Sequence, residues 1–113
     1  EKNITLRFYS FDPNTHTILV KFENGTNPDV QVKVNVPSGN ASTWQDFTFD
    51  FSNAVLSSDG TTAVNATGTY SKLVIYIDEG VQIIGSIKLN FPHLLVGLTM
   101  KFSITPIVLK THM

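Results

Sequence analysis

A chain of 113 residues, 42% hydrophobic and 15% charged, has the size and balance of one folded domain able to bury about two thirds of its unfolded surface. Eight Lys and Arg against nine Asp and Glu give a formal charge of -1, so no excess positive potential gathers a phosphate backbone and nucleic acid is not an expected partner. The absence of Cys excludes a disulfide framework and a thiolate zinc site, and no apolar run approaches the ~20 residues that span a bilayer, which points to a soluble domain with no membrane partner.

Apolar and polar residues alternate in runs of strand length, and helical spacing is hard to find. The first run sets Ile4, Leu6 and Phe8 on one side and Thr5, Arg7 and Tyr9 on the other, and the turn residues Asp12, Pro13 and Asn14 end it. The second sets Ile18, Val20 and Phe22 against Leu19, Lys21 and Glu23. Residues 24–28 (NGTNP) then form a loop rich in residues suited to left-handed or fixed-φ backbone. Val30, Val32, Val34 and Val36 make a third strand with Gln31, Lys33 and Asn35 on its opposite face, before the punctuation of Pro37, Ser38 and Gly39.

Phe47, Phe49 and Phe51 place three rings on one face as a large core element, with Trp44, Asp46, Thr48 and Asp50 on the other parity. Residues 52–69 are small, polar and irregular, and are expected as a long surface loop with one helical turn at Ala54, Val55 and Leu56. Leu73, Val74, Ile75, Tyr76 and Ile77 are almost continuously apolar, as in a strand covered on both faces or lining a cleft, and Asp78, Glu79 and Gly80 close it. Alternation resumes from Val81, with Ile87, Leu89 and Phe91 inward and Ser86, Lys88 and Asn90 outward, and stops at Pro92. A last run alternates Leu94, Val96, Leu98, Met100, Phe102 and Ile104 as far as Pro106. This succession of short strands predicts an all-β chain, a two-sheet antiparallel β-sandwich forming a single domain over residues 1–113. Beginning at Glu1 with neither initiator Met nor signal peptide, the chain is expected to be processed or an excised piece of a longer protein.

Catalytic patterns are missing. His16, His93 and His112 are far apart, and none has a second His or an acid at metal-ligand spacing. There is no Gly-x-Ser-x-Gly elbow, no phosphate-cradling Gly-rich loop and no dinucleotide fingerprint. Glycoside hydrolysis needs two carboxyls about 5–9.5 Å apart. Asp46 and Asp50 share a strand face but stand about 13 Å apart at about 3.3 Å per residue. Asp78 and Glu79 are adjacent, which a strand throws onto opposite faces. No catalytic residue is therefore expected. Asn3, Asn24, Asn40 and Asn65 each open an Asn-x-Ser/Thr triplet, a glycan acceptor in a eukaryotic secretory pathway and a coincidence expected in a chain rich in Asn, Ser and Thr.

What remains is a polar and aromatic inventory on the outward parity of the strands, the composition that sugar recognition requires. Apolar pyranose faces stack on Trp and Tyr, and equatorial hydroxyls bond amide, ammonium and carboxylate groups. Tyr9, Trp44 and Tyr76 are the candidate stacking residues, and Gln31, Lys33, Asn35, Asp78 and Gln82 the candidate hydrogen-bonding ones. Each also reads as an ordinary solvated position, and Trp44 also reads as a core or edge residue closing the sandwich beneath residues 37–43.

Residues 4–10 (ITLRFYS), 18–28 (ILVKFENGTNP), 44–52 (WQDFTFDFS) and 70–80 (YSKLVIYIDEG) together resemble the galactose-binding-like β-sandwich modules attached to bacterial polysaccharide-degrading enzymes. The resemblance covers roughly residues 4–90. It implies a jelly-roll carbohydrate-binding module, secreted, fused to a glycoside hydrolase and directed at a β-linked polysaccharide such as β-glucan or xyloglucan. Such modules require no cofactor but often carry a structural Ca²⁺, for which Asp46, Asp50 and Asp78 are the available acids. Two departures stand out: the strand or two that usually precede the first segment are missing, and the usual Tyr-containing close is replaced by Gly85, Ser86, Ile87, Lys88 and Leu89. The run over residues 94–109 is accordingly expected to supply the missing sheet position, in cis or by strand exchange in a homo-oligomer. The alternative to a sugar-binding role is a structural or adhesion sandwich.

Overall fold

The computed structural model describes residues 2–10, 12–39, 41–91 and 98–104, with side chains as far as residue 79. The alternating runs become strands: β1 (Asn3–Ser10), β2 (His16–Gly25), β3 (Val30–Val36) and β4 (Thr43–Asp50). After a 3-10 turn at Phe51–Asn53 come β5 (Ala54–Leu56), β6 (Ala63–Val64), β7 (Gly68–Ile77), β8 (Gly80–Phe91) and β9 (Leu98–Ile104). They form two sheets, one in the order β4-β1-β9 and one in the order β6-β5-β3-β2-β7-β8. Pairing is antiparallel among the described strands, with one exception: β9 runs parallel to β1.

The inward parity of both sheets meets in one core. Ile4, Leu6 and Phe8 of β1 and Phe49 of β4 share a buried cluster with Ile18, Val20 and Phe22 of β2 and with Leu73, Ile75 and Ile77 of β7. Each such side chain stabilises the fold by about 1.5–3 kcal/mol on burial. Phe22 links the parts, its ring 4.8 Å from that of Phe51 and 6.1 Å from that of Tyr70. Of the three rings expected in the core, Phe49 and Phe51 are fully buried and Phe47 packs against the cluster half-buried. With the inward faces turned toward each other, the outward residues of the two sheets point in opposite directions.

Of the stretch expected as an irregular loop, residues 57–62 and 65–67 are turn or coil, but Ala54, Val55 and Leu56 form a strand rather than a helical turn. Leu56 pairs with Val30 and Val55 with Gln31, so this segment satisfies its backbone on the open edge of β3, and β6 pairs with it in turn. Runs of three and two residues are too short to display alternation, which is why sequence pattern missed them. At the tip of this hairpin the Asp59 carboxylate accepts from the Thr62 hydroxyl and from the amides of Thr62 (3.0 Å) and Thr61 (2.9 Å), and these bonds hold its pKa down to about 2.

The closing strand takes the sheet position beside β1 within the same chain, from Leu98 opposite Ile4 to Ile104 opposite Ser10. Leu94 and Val96 of that run, residues 105–109, His93, His112 and Asn40 lie outside the described residues.

Candidate functional site: a cleft on the six-stranded sheet

On the outer face of the larger sheet, β3, β2 and β7 hold their residues in register. Lys33, Leu19 and Tyr76 form one row across the strands, and Gln31, Lys21 and Val74 form the next. Ser57, just beyond β5, and Glu79, in the turn from β7 to β8, stand beside these rows. With Thr17, and with the two rows apart from the buried Val74, they line a cleft of about 290 Å³, just below the usual range for ligand sites of about 300–1,000 Å³.

Two further depressions adjoin the cleft. One of about 300 Å³ shares Lys21 and Ser57 with it and extends to Pro28, Asp29 and Ser58. The other, of about 420 Å³, shares Thr17 and extends past Asn35, Val36 and Pro37 to His16 and Asp78. The three follow one another as a track from the residues just before β3, a strand of seven residues and so about 23 Å long, to those at its far end.

Charge fixes the aromatic member. The Lys21 ammonium lies 5.9 Å from the centroid of the Tyr76 ring, within cation-π range, and 2.9 Å from Glu23, which also reaches Lys72 at 3.4 Å. The hydrogen bond between Lys21 and Glu23 is the main reason that the lysine titrates above its ordinary value and the glutamate below its own. Both therefore stay charged through neutral pH, and Lys21 is held against the ring. Lys33 and Glu79 make no ion pair among the described residues and bring an ammonium and a carboxylate to the cleft.

The residues singled out by sequence are distributed over separate places. Tyr76, Gln31 and Lys33 converge in the cleft, while Asn35 and Asp78 line the depression beyond Thr17. Gln82 is in β8, and its side chain lies outside those described. Tyr9 and Trp44 pair in register on the outer face of the smaller sheet, ring centroids 5.3 Å apart and planes at 51°. Beside them Arg7 Nε donates to Asp46 Oδ1 at 2.9 Å. Sheets in a sandwich pack about 10 Å apart, so these two rings and Tyr76 face opposite ways and cannot stack on one sugar. Trp44 is 46% exposed and therefore does not close the core. Strand parity separates inward from outward but carries no information on which sheet a strand joins. Leu19, Lys21, Thr17, Ser57 and Glu79 were not among the singled-out residues; the register of β2 between β3 and β7 brings the first three to the cleft.

A cluster that sequence spacing passed over lies at the end of the track. His16 is 7% exposed; its Nδ1 is 2.6 Å from Asp78 Oδ2 and its Nε2 is 2.9 Å from Asp12 Oδ1. Burial alone pushes this imidazole toward neutrality, but the bonds to Asp78 and Asp12 outweigh it and raise the pKa. For Asp12, likewise, desolvation acts upward but the bonds to His16 and the Asn14 amide bring the pKa down. Its second oxygen, Oδ2, is buried without a partner among the described residues. The two carboxylates sit on opposite nitrogens of one ring, an arrangement that holds a proton at each and does not converge on a metal.

The acids considered for calcium are also dispersed. Asp46 pairs with Arg7, Asp50 accepts from the Ser52 amide at 2.9 Å in the 3-10 turn, and Asp78 is at the far turn of the other sheet bonding His16 and the Thr17 amide. These three do not fit one calcium site.

No protein-family model, curated protein or solved structure matches the chain. The geometry of the site offers one aromatic ring, an aliphatic neighbour, an amide, ammonium groups, a carboxylate and hydroxyls around a shallow cleft.

Proposed function

We propose that this domain is a noncatalytic carbohydrate-binding module, and that the cleft on the six-stranded sheet is its site. The observation that carries the reading is the convergence of Tyr76, Gln31 and Lys33 in one cleft. A pyranose ring stacks its C–H face on Tyr76 and Leu19 while Gln31, Lys33, Glu79 and Ser57 bond its hydroxyls. Adjoining depressions along β3 accommodate neighbouring sugars of a polymer, in keeping with a β-linked polysaccharide such as β-glucan or xyloglucan. Glu79 is the one acid among the cleft's described lining residues, where glycosidic hydrolysis calls for two, so cleavage is assigned to a fused glycoside hydrolase in a secreted parent protein. The chain changes sheet after β1, β3, β4 and β8, a winding in keeping with a jelly roll.

Affinity electrophoresis through gels containing β-glucan, xyloglucan, xylan or mannan tests this. Retardation is expected on β-glucan or xyloglucan, and Tyr76→Ala is expected to weaken it about tenfold, the equivalent of about 1.4 kcal/mol of stacking. Free migration of the folded wild type through all four gels contradicts the reading.

A second reading, a structural or adhesion module, is favoured by one observation. Trp44, Tyr9 and Arg7 cluster outward on the smaller sheet, and these residue types dominate protein-binding hot spots. On that reading Trp44→Ala breaks attachment to a protein partner while leaving glycan retardation untouched.

A further inference from the structure

The Asp12, His16 and Asp78 cluster joins two segments distant in sequence, the connection between β1 and β2 and the tight turn between β7 and β8. That turn consists of Asp78 and Glu79, with Ile77 paired directly to Gly80. Both turn residues have left-handed backbone, φ 52° and 68°, as a two-residue hairpin turn of this hand requires, and aspartate tolerates it. Asp78 is also bonded to residues outside the turn. Asp78 Oδ2 meets His16, its Oδ1 accepts from the Thr17 amide at 2.9 Å, and its own amide donates to the Thr17 carbonyl at 2.9 Å. On either side of this clamped residue stand Glu79, the next in the chain, and Tyr76, two before it, both lining the cleft.

We infer that His16 is a positioning residue for the cleft: as a doubly protonated imidazolium it clamps Asp78 and thereby sets where Glu79 and Tyr76 stand. The inference rests on reading the cleft as a glycan site, and it adds a control on that site. Only an imidazolium donates from both nitrogens, and here both face carboxylates. On losing a proton, one nitrogen becomes an acceptor facing an anion, and one half of the clamp turns repulsive. Among the described residues, the charges acting on the ring are those of Asp78, from the turn, and Asp12, from the connection after β1. The β3 residue opposite in register is uncharged Val36. The raised imidazole pKa gives the direction: the clamp is intact below the ordinary histidine value of about 6.5 and releases as pH climbs through a higher one.

Two measurements made together test this, binding of soluble xyloglucan or β-glucan between pH 5 and 9 and the NMR titration of the His16 ring with the Tyr76 and Glu79 amides. For wild type, affinity is expected to fall at least fivefold across the imidazole titration, with both amide signals moving at the same midpoint. His16→Gln is expected to bind at the weaker level throughout, with pH-independent amides, and Asp12→Asn serves as the second variant should the first fail to fold. Wild-type amides that ignore the imidazole titration overturn the inference, as does a folded His16→Gln that binds like wild type at pH 6. If neither glycan binds at any pH, the cleft reading fails, and the amide titration alone decides whether His16 positions the turn.

Discussion

Replacing His16 by Ala is expected to lower the unfolding free energy by about 2–4 kcal/mol at pH 6. Removing one partner of a fully buried ion pair costs about 3–5 kcal/mol, because the remaining charge keeps its desolvation penalty. Asp12, with 15% of its side chain exposed and one oxygen already unpartnered, bears that penalty nearly in full, whereas Asp78 is 34% exposed and water relieves part of it. The pH dependence identifies the interaction. His16 has a raised pKa in the folded state, so its contribution is complete below about pH 6.5 and is lost as pH rises through the folded value. Asp12 has a lowered one, so its contribution is complete above about pH 3.9 and is lost as pH falls through the folded value. Wild type is therefore expected to be most stable between about pH 4 and 6.5, and His16→Ala to lack the alkaline decline. Urea unfolding at pH 6 and pH 9 checks this; an equal loss at both values indicates a packing defect in place of a lost imidazolium.

Gly25→Ala is expected to destabilise by about 3 kcal/mol, the upper part of the usual range for overpacking. A Cβ at Gly25 overlaps the carbonyl oxygen of Thr69 and falls 2.5 Å from Cδ1 of Tyr70. Neither neighbour is free to yield. The Thr69 carbonyl accepts from the Thr26 amide at 2.9 Å, and the Tyr70 hydroxyl donates to the Pro28 carbonyl at 2.5 Å while its ring packs on Phe22. Gly39 is the control, since a Cβ there meets open space and only its left-handed φ of 84° resists substitution. Its replacement by Ala is expected to cost about 1–2 kcal/mol. Equal melting temperatures for the two variants contradict the close packing at Gly25.

Strand parity made the longer elements legible. Four alternating valines became β3, and Ile18, Val20 and Phe22 turned inward in β2 while Leu19 and Lys21 turned outward. Parity is a one-strand property, however. Tyr9 and Tyr76 read alike along the chain, and only the sheet order sends them to opposite surfaces. The His16 cluster was illegible for a related reason: Asp78 lies 62 residues away, and its approach depends on a two-residue turn and the pairing of β2 with β7. The hairpin of β5 and β6 was hidden by brevity, and its contribution of Ser57 to the cleft was hidden with it.

The most direct test of the glycan-binding cleft is an NMR titration of the ¹⁵N-labelled domain with a soluble β-glucan or xyloglucan oligosaccharide. Saturable shifts are predicted for the amides of Thr17, Leu19, Lys21, Gln31, Lys33, Ser57, Tyr76 and Glu79, with Tyr9 and Trp44 unmoved. Shifts confined to Tyr9 and Trp44, or none at millimolar oligosaccharide, contradict it.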